Sequence, residues 1–200
     1  MFADCMLSKT QSEETMPLIP YADTAALPEK AREAFERLPR KLNIFRMWAN
    51  APEMFVSGMR FGGNILSRQK LGADLRELII LLVARIEGGT YEWVQHVPIA
   101  KHAGCKDDQI AALEKGDFAS AAFNAKEKAL LKLSEEVIRH VRGSEAAVAE
   151  AKKYFSPQEI VEIIMTCGFY MTMARMTETL QVDIDAPGGE AIVKELERMR

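Results

Sequence analysis

A carboxylate and an imidazole, Glu92 and His96, are the residues of this sequence best placed for proton transfer. They lie four positions apart, and a helix turns about 100° per residue, so one helical face would carry both side chains. A carboxylate beside an imidazole orients the ring and raises its basicity, which suits general acid–base catalysis near neutral pH. The alternative interpretation is structural, because an exposed pair at this spacing would only slightly stabilise the helix. The flanking Trp93 and Val97 favour an apolar, functional setting.

Three further polar residues near this pair are weaker candidates. Tyr91 is either a hydrogen-bonding relay or a packing residue of the first helical turn. Glu77 is three residues after Asp74, the spacing of a capping box, so a purely structural role is open to it. His102 follows His96 by six residues and falls on another face of the helix, a spacing that does not suit a metal pair. No metal site is therefore expected.

The three cysteines, at positions 5, 105 and 167, are too few and too scattered for a disulfide framework and indicate a reducing compartment. Cys167 lies in an apolar helical segment, where burial would keep its thiol inert. Cys105 follows the helix-ending Gly104, so we expect it to be partly exposed and its pKa to be lowered slightly by Lys106. Cys105 is thus the one candidate redox residue.

The elements that position these residues have helical periodicity throughout. Apolar residues recur at three and four positions in KEKALLKLSEEVIRHV, no stretch alternates with period two, and no Asn-Gly or Asp-Gly hairpin signal occurs. These patterns predict an all-α fold of eight or more helices. The segment from Ser156 to Glu159 is the clearest helix start, with a cap, a proline at the first position and a reciprocal glutamate. The residues predicted to cap helices are Asp74, Thr90, Asp107, Ser144 and Ser156.

Two apolar hexamers with a glutamate at their third position, LRELII at 75–80 and IVEIIM at 160–165, indicate a weak internal repeat of two helical hairpins. We predict a flexible leader over residues 1–15 and a helical domain over 16–185. A helical extension over 186–200 follows the break Asp-Ala-Pro-Gly-Gly.

Composition restricts the range of functions. The 200 residues are 48% hydrophobic and 28% charged with a formal charge of −3, a globular composition without the basic excess that nucleic acid binding needs. The longest apolar run, Leu78 to Ala84, is far shorter than the ~20 residues of a membrane-spanning helix. The first fifteen residues lack the apolar core of a secretory signal. We therefore expect a soluble cytoplasmic protein that acts on a small molecule.

Two adjacent segments carry a resemblance to a known family. LRELIILLVARI followed by YEWVQHVPIAKHAG is similar to the carboxymuconolactone decarboxylase family, within the AhpD-like group that includes alkyl hydroperoxidase D. The similarity extends more loosely over residues 17 to 185. It implies an all-helical AhpD-like fold, a homo-oligomer, a site at a subunit or repeat interface and, in the decarboxylase branch, no cofactor.

The sequence departs from the peroxidase branch of this group at its sulfur positions. That branch has a Cys-x-x-Cys pair before the histidine, and Gly89 and Glu92 stand in those places here. The proton-relay glutamate and relay histidine of that branch correspond to Glu77 and Tyr91. A dithiol peroxidase needs an attacking and a resolving thiol, and Cys105 can fill neither place.

These observations predict a cofactor-free acid–base enzyme, a decarboxylase or a related enzyme, that acts on a small carboxylated lactone or keto acid. Glu92 and His96 would transfer protons and Glu77 would support them. Outer candidates for relay or pocket residues are Tyr91, His102 and Trp93. Two alternatives remain. One is a peroxidase-related antioxidant protein using Cys105 or Cys167 with an external thiol, and the other is a helical oligomer that binds a small ligand without turnover.

Overall fold

The computed structural model describes residues 17–198, and this part of the chain folds into ten α-helices without a β-strand. The all-α prediction is confirmed. In chain order the helices are α1 Glu29–Glu36, α2 Asn43–Trp48, α3 Pro52–Arg68, α4 Ala73–Glu87, α5 Thr90–Ala103, α6 Asp107–Lys115, α7 Ala125–His140, α8 Glu145–Ala151, α9 Pro157–Leu180 and α10 Gly189–Arg198.

Helix α4 is the centre of the molecule. Its ten residues 75–84 are all buried, and the helix packs against α5, α7 and α9. A helix that is apolar around most of its circumference must be enclosed by others, and this explains the run of seven apolar residues that begins at Leu78. Two charged residues, Arg76 and Glu77, are enclosed with it.

The strongest helix-start signals predict the observed caps. The side-chain oxygen of Ser144 accepts a hydrogen bond from the backbone N–H of Ala147 at the start of α8. At α9, Ser156 and Glu159 form the reciprocal capping box, and Pro157 occupies the first helical position. Each of these side chains satisfies a backbone group that the helix itself leaves unpaired.

Three predicted caps are wrong by one or two residues. Helix α4 begins at Ala73 after Gly72, so Asp74 lies inside its first turn. Thr90 and Asp107 are the first helical residues of α5 and α6, not their caps. The N–H of Thr90 donates to the Glu178 carboxylate 2.8 Å away, so a distant residue of α9 provides what a local cap would have provided.

The helices that carry the two similar hexamers, α4 and α9, pack against each other, and the two-hairpin repeat stays a prediction. The final helix, α10, packs on α5 and α3. The leader predicted over residues 1–15, including Cys5, lies outside the described residues. No helix within 17–198 combines the length and apolar character that crossing a bilayer requires.

Candidate active site

A buried row of three side chains ends at His96. The Nδ1 atom of His96 is 2.8 Å from Oε2 of Glu77, and Oε1 of Glu77 accepts a hydrogen bond of 2.9 Å from Nε of Arg76. Arg76 also donates from Nη1 to the backbone carbonyl of Leu66, which ties α4 to α3. A carboxylate on Nδ1 fixes the orientation and tautomer of the ring. His96 lines a cavity, and its Nε2 makes no hydrogen bond with any residue that the structure describes.

The carboxylate that orients His96 is therefore Glu77 and not Glu92. This corrects the sequence-based pairing of residues 92 and 96. It also excludes the capping role for Glu77, because both of its carboxylate oxygens bind side chains inside the fold. Glu92 and His96 do line the same cavity.

Glu92 occupies a separate polar niche beside α9. The Thr177 hydroxyl lies 3.1 Å from Oε2 and 3.2 Å from Oε1 of Glu92. Burial raises the pKa of Glu92 to about 7, against the opposing effect of the hydrogen bond from Thr177. A methyl group at Gly89 would lie 2.8 Å from Oε2 of Glu92, so glycine leaves room for the carboxylate there. At neutral pH Glu92 is thus both a proton donor and a proton acceptor.

The cavity has a volume of about 260 Å³ and lies between α5, α9, α3 and the α1–α2 region. This is near the lower end of the ~300–1,000 Å³ range of small-molecule sites, which indicates a small ligand. Aromatic and aliphatic side chains form most of its wall. They are Leu38, Leu42, Ile44, Phe45, Trp48, Met59, Leu66, Ile99, Phe169, Met173 and Val193.

Glycines in α3 let two aromatic rings of this wall lie directly on the helix backbone. A Cβ atom at Gly58 would overlap the Trp48 ring, and one at Gly62 would lie 2.7 Å from the Phe169 ring. Contacts this short do not occur between real atoms, so larger residues at these positions would push the rings away. The two glycines therefore set the position of the aromatic wall.

Tyr170 is a polar wall residue that the sequence analysis missed. Its ring packs edge-on against His96, with centroids 5.0 Å apart and planes at 89°. Burial, followed by the nearby charge of Glu77, raises the pKa of Tyr170 well above its usual value, so the phenol keeps its proton. The hydroxyl forms no hydrogen bond with the side chains and backbone that the structure describes, which leaves it able to donate to a ligand.

A hydrogen-bonded clasp holds the chain segment 183–188 against α5 at the edge of the cavity. Asp185 accepts bonds from the Tyr91 hydroxyl at 2.5 Å and from the Asn43 backbone N–H at 2.7 Å. Gln95 donates to the Asp185 carbonyl and accepts from the Gly188 N–H, both at 2.9 Å. Tyr91 is thus a buried residue of this clasp, with its hydroxyl committed to Asp185.

The other two outer candidates lie away from the cavity. Trp93 is buried in the main hydrophobic core behind α5, because it follows Glu92 by one position and points to another side of the helix. His102 is exposed near the end of α5. Neither residue lines the site, which corrects their assignment as pocket residues.

The cysteines of the described chain are both buried. Cys105, expected to be partly exposed, is only 7% exposed, and its thiol donates to the carbonyl of Asp74 at 3.3 Å. Burial, reinforced by the charges of Glu77 and Asp74, raises its pKa to about 12, whereas Lys106 was expected to lower it. Burial likewise raises the pKa of Cys167 to about 12, as predicted for an inert core thiol.

No group of three or more His, Cys, Asp or Glu side chains within residues 17–198 is arranged to hold a metal ion.

The site residues that sequence reasoning missed are Arg76, Gln95, Tyr170, Thr177 and Asp185. Only Arg76 had a usable signal, since two adjacent charges inside an otherwise apolar helix must be paired. The others are brought to the site by tertiary packing from chain segments far away in sequence.

Comparison with known proteins agrees with this architecture. The profile of the carboxymuconolactone decarboxylase family matches residues 52–136, which include α3 to α6 and most of α7. A comparison with curated protein sequences gives no match.

Several solved structures share the fold. One, described as the alkylhydroperoxidase AhpD core of an uncharacterized peroxidase-related protein from Ralstonia eutropha, superposes with a TM-score of 0.74 at 19% identity over 86% of this chain and 94% of its own. A protein of unknown function from Agrobacterium tumefaciens gives 0.64 at 24% identity over 70% and 96%. A variant of the debrominase Bmp8 in complex with 2,3,4-tribromopyrrole gives 0.66 at 18% identity over 94% and 99%. At these identities the likeness shows the fold.

The helices and their packing give the chain the all-α AhpD-like fold. Its residues 52–136 match the model of the carboxymuconolactone decarboxylase family.

Proposed function

We propose that this protein is a cofactor-free acid–base enzyme, a decarboxylase or a related enzyme, for a small keto acid or lactone acid. The observation that carries the proposal is the 2.8 Å contact between Glu77 and Nδ1 of His96, which leaves Nε2 toward the cavity. This is the arrangement of a positioned general base or acid. Arg76 holds the other oxygen of Glu77 and so keeps the carboxylate in place.

In the decarboxylation, the bond between the carboxylate carbon and its neighbour breaks and CO₂ leaves. The electron pair is delocalised into the adjacent carbonyl group, and a protein acid then returns a proton to carbon. Glu92, whose pKa is raised to about 7, and His96 are the candidates for this proton transfer on the cavity wall. An apolar surrounding destabilises the localised charge of the carboxylate relative to the delocalised charge of the transition state and strengthens the hydrogen bonds to it.

The burial of both described cysteines removes support from the peroxidase alternative. Peroxide reduction begins with a thiolate, and a thiol with a pKa of about 12 is almost entirely protonated at neutral pH. The other alternative, a protein that binds a small ligand without turnover, is also compatible with an apolar cavity. The following experiment distinguishes it from an enzyme.

The test compares CO₂ release from 3-oxo-3-phenylpropanoate with wild-type protein, His96→Gln and His102→Gln. The last is a matched control, because His102 is exposed and outside the cavity. We expect His96→Gln to lose about 10²- to 10⁴-fold in rate and His102→Gln to retain the wild-type rate. Equal activity in all three proteins would refute the role of His96. Ligand binding without CO₂ release or deuterium exchange at carbon would favour the non-enzymatic alternative.

A further inference from the structure

Aromatic side chains form a large part of the cavity wall. Trp48 and Phe169 pack with centroids 6.1 Å apart, and Phe169 contacts Tyr170 edge-on at 5.4 Å. All three rings line the cavity, together with Phe45. Aromatic walls of this kind bury a planar ligand and favour edge-to-face or offset contacts with it. The aromatic wall therefore suits a ring.

The charges at the cavity oppose a ligand with several carboxylates. Among the described lining residues one side chain is permanently cationic, that of Arg37, which is 78% exposed and already pairs with Glu33 at 3.0 Å. Glu92 and Glu195 line the cavity as well. A dicarboxylate would lose its hydration among apolar side chains and meet further carboxylates, and the buried Arg76 does not line the cavity and already pairs with Glu77.

Two polar side chains of the cavity wall are in direct contact. The rings of Tyr170 and His96 pack edge-on with centroids 5.0 Å apart, and no hydrogen bond joins the Tyr170 hydroxyl or the His96 Nε2 to a described residue. A protonated phenol donates a hydrogen bond, and a carbonyl oxygen is the acceptor that fits it. A ligand with one carbonyl beside this contact and a ring among Trp48 and Phe169 would satisfy both surfaces.

We propose that the cavity binds an aryl or alicyclic carbonyl compound that is neutral or carries one carboxylate, with its carbonyl oxygen bonded to Tyr170. This proposal rests on the proposed function for the reaction itself, and it narrows the substrate class to ring compounds with at most one negative charge. A polycarboxylated lactone is outside this class.

The test measures binding and not turnover, so its failure is distinct from failure of the proposed reaction. Four probes are titrated by calorimetry and by the fluorescence of a Trp93→Phe variant, in which Trp48 is the remaining tryptophan: acetophenone, phenylglyoxylate, 4-carboxyphenylglyoxylate and 2-oxoglutarate. The two compounds with a ring and no more than one carboxylate are expected to bind. The ring dicarboxylate and the aliphatic dicarboxylate are expected to bind at least tenfold more weakly.

Two variants test whether the Tyr170 hydroxyl bonds the carbonyl oxygen of the ligand. Tyr170→Phe should weaken acetophenone binding by about two- to tenfold, the loss of one hydrogen bond. Its melting temperature should stay unchanged, because the hydroxyl has no hydrogen-bond partner in the described part of the protein. Tyr154→Phe, at a partly exposed tyrosine that does not line the cavity, should bind as the wild type does.

Three results would overturn the proposal. The first is tighter binding of 4-carboxyphenylglyoxylate than of phenylglyoxylate. The second is binding of 2-oxoglutarate without binding of either smaller ring compound, and the third is no binding of any probe. If Tyr170→Phe bound acetophenone as well as the wild type, the assignment of the carbonyl contact would be wrong.

Discussion

His96 and Glu77 are joined through Nδ1 and Oε2 at 2.8 Å, although 19 residues separate them in the sequence. The contact connects two consecutive helices, α4 and α5, which pack against each other along the core. The position of the imidazole is therefore set by the rigid core and not by a loop, which is the arrangement a precise proton-transfer geometry requires. The following predictions test the energetics of this site and of its walls.

Removing the charge of Glu77 should strongly destabilise the fold. In Glu77→Gln the buried Arg76 loses its ion partner, and breaking such a pair costs about 3–5 kcal/mol of the free energy of unfolding. The double variant Arg76→Met/Glu77→Gln should recover much of this loss. Glu36→Gln, in an exposed pair with Arg32, should change stability by less than about 1 kcal/mol. Urea unfolding measures the stability of the wild type and of these three variants. Equal losses of stability at the buried and the exposed pair would contradict the prediction.

Glu92 should make the protein less stable as the pH rises. Its pKa is raised from 4.5 to about 7 in the fold, so between these values the folded state binds more protons than the unfolded state. The contribution of Glu92 to the free energy of unfolding is then largest below pH 4.5. It falls by roughly 1 kcal/mol per pH unit up to about pH 7. Glu92→Gln should remove this slope. The measurement is denaturant unfolding of both proteins from pH 5 to 8, and parallel curves would show that Glu92 does not titrate in this window.

The thiols at 105 and 167 should be unreactive in the folded protein. Because burial raises the pKa of both to about 12, the thiolate fraction at pH 7.5 is very small and reagent access is restricted. In a Cys5→Ser background, Ellman's reagent should label neither thiol at a rate comparable to free cysteine. Both should react at once in 6 M guanidinium chloride. Fast labelling of the native protein that disappears in Cys105→Ser would contradict the burial of that thiol.

Two glycine-to-alanine substitutions should have opposite effects on stability. Gly58→Ala places a methyl group inside the space of the Trp48 ring, and overpacking of this kind costs about 1–3 kcal/mol. Gly168→Ala, in α9, meets nothing within 4 Å and should gain up to about 1 kcal/mol from helix propensity. Thermal unfolding compares the two variants. A stabilised Gly58→Ala protein would show that the ring of Trp48 moves freely.

The sequence contains enough information for the fold class and for the centre of the site, but not for its surroundings. The helical periodicity and the capping signals each depend on residues that are close together in the sequence. The helices, and the helix starts at Ser144 and Ser156, can therefore be predicted from short stretches of sequence. Glu77, Glu92 and His96 stand out by type and by resemblance to a known family, but the sequence pairs His96 with Glu92, whereas the structure pairs it with Glu77. Tyr170 and Thr177 reach the site only because α9 packs on α4 and α5, and no local pattern encodes that packing. The cap missed at Gly89 has the same cause, since the contact of the Thr90 N–H with Glu178 replaces a local one.

The clasp around Asp185 has a consequence for the order of folding. Its bonds join residues that are 162 positions apart, at Tyr21 and Asp183, and 142 apart, at Asn43 and Asp185. Closing such long loops is entropically unfavourable until other contacts have brought the segments together. Contacts of this kind form late in folding and slow it. On a ribosome, the helices α3 to α9 can pack before residue 185 has emerged, whereas the edge of the cavity held by the clasp is completed only afterwards.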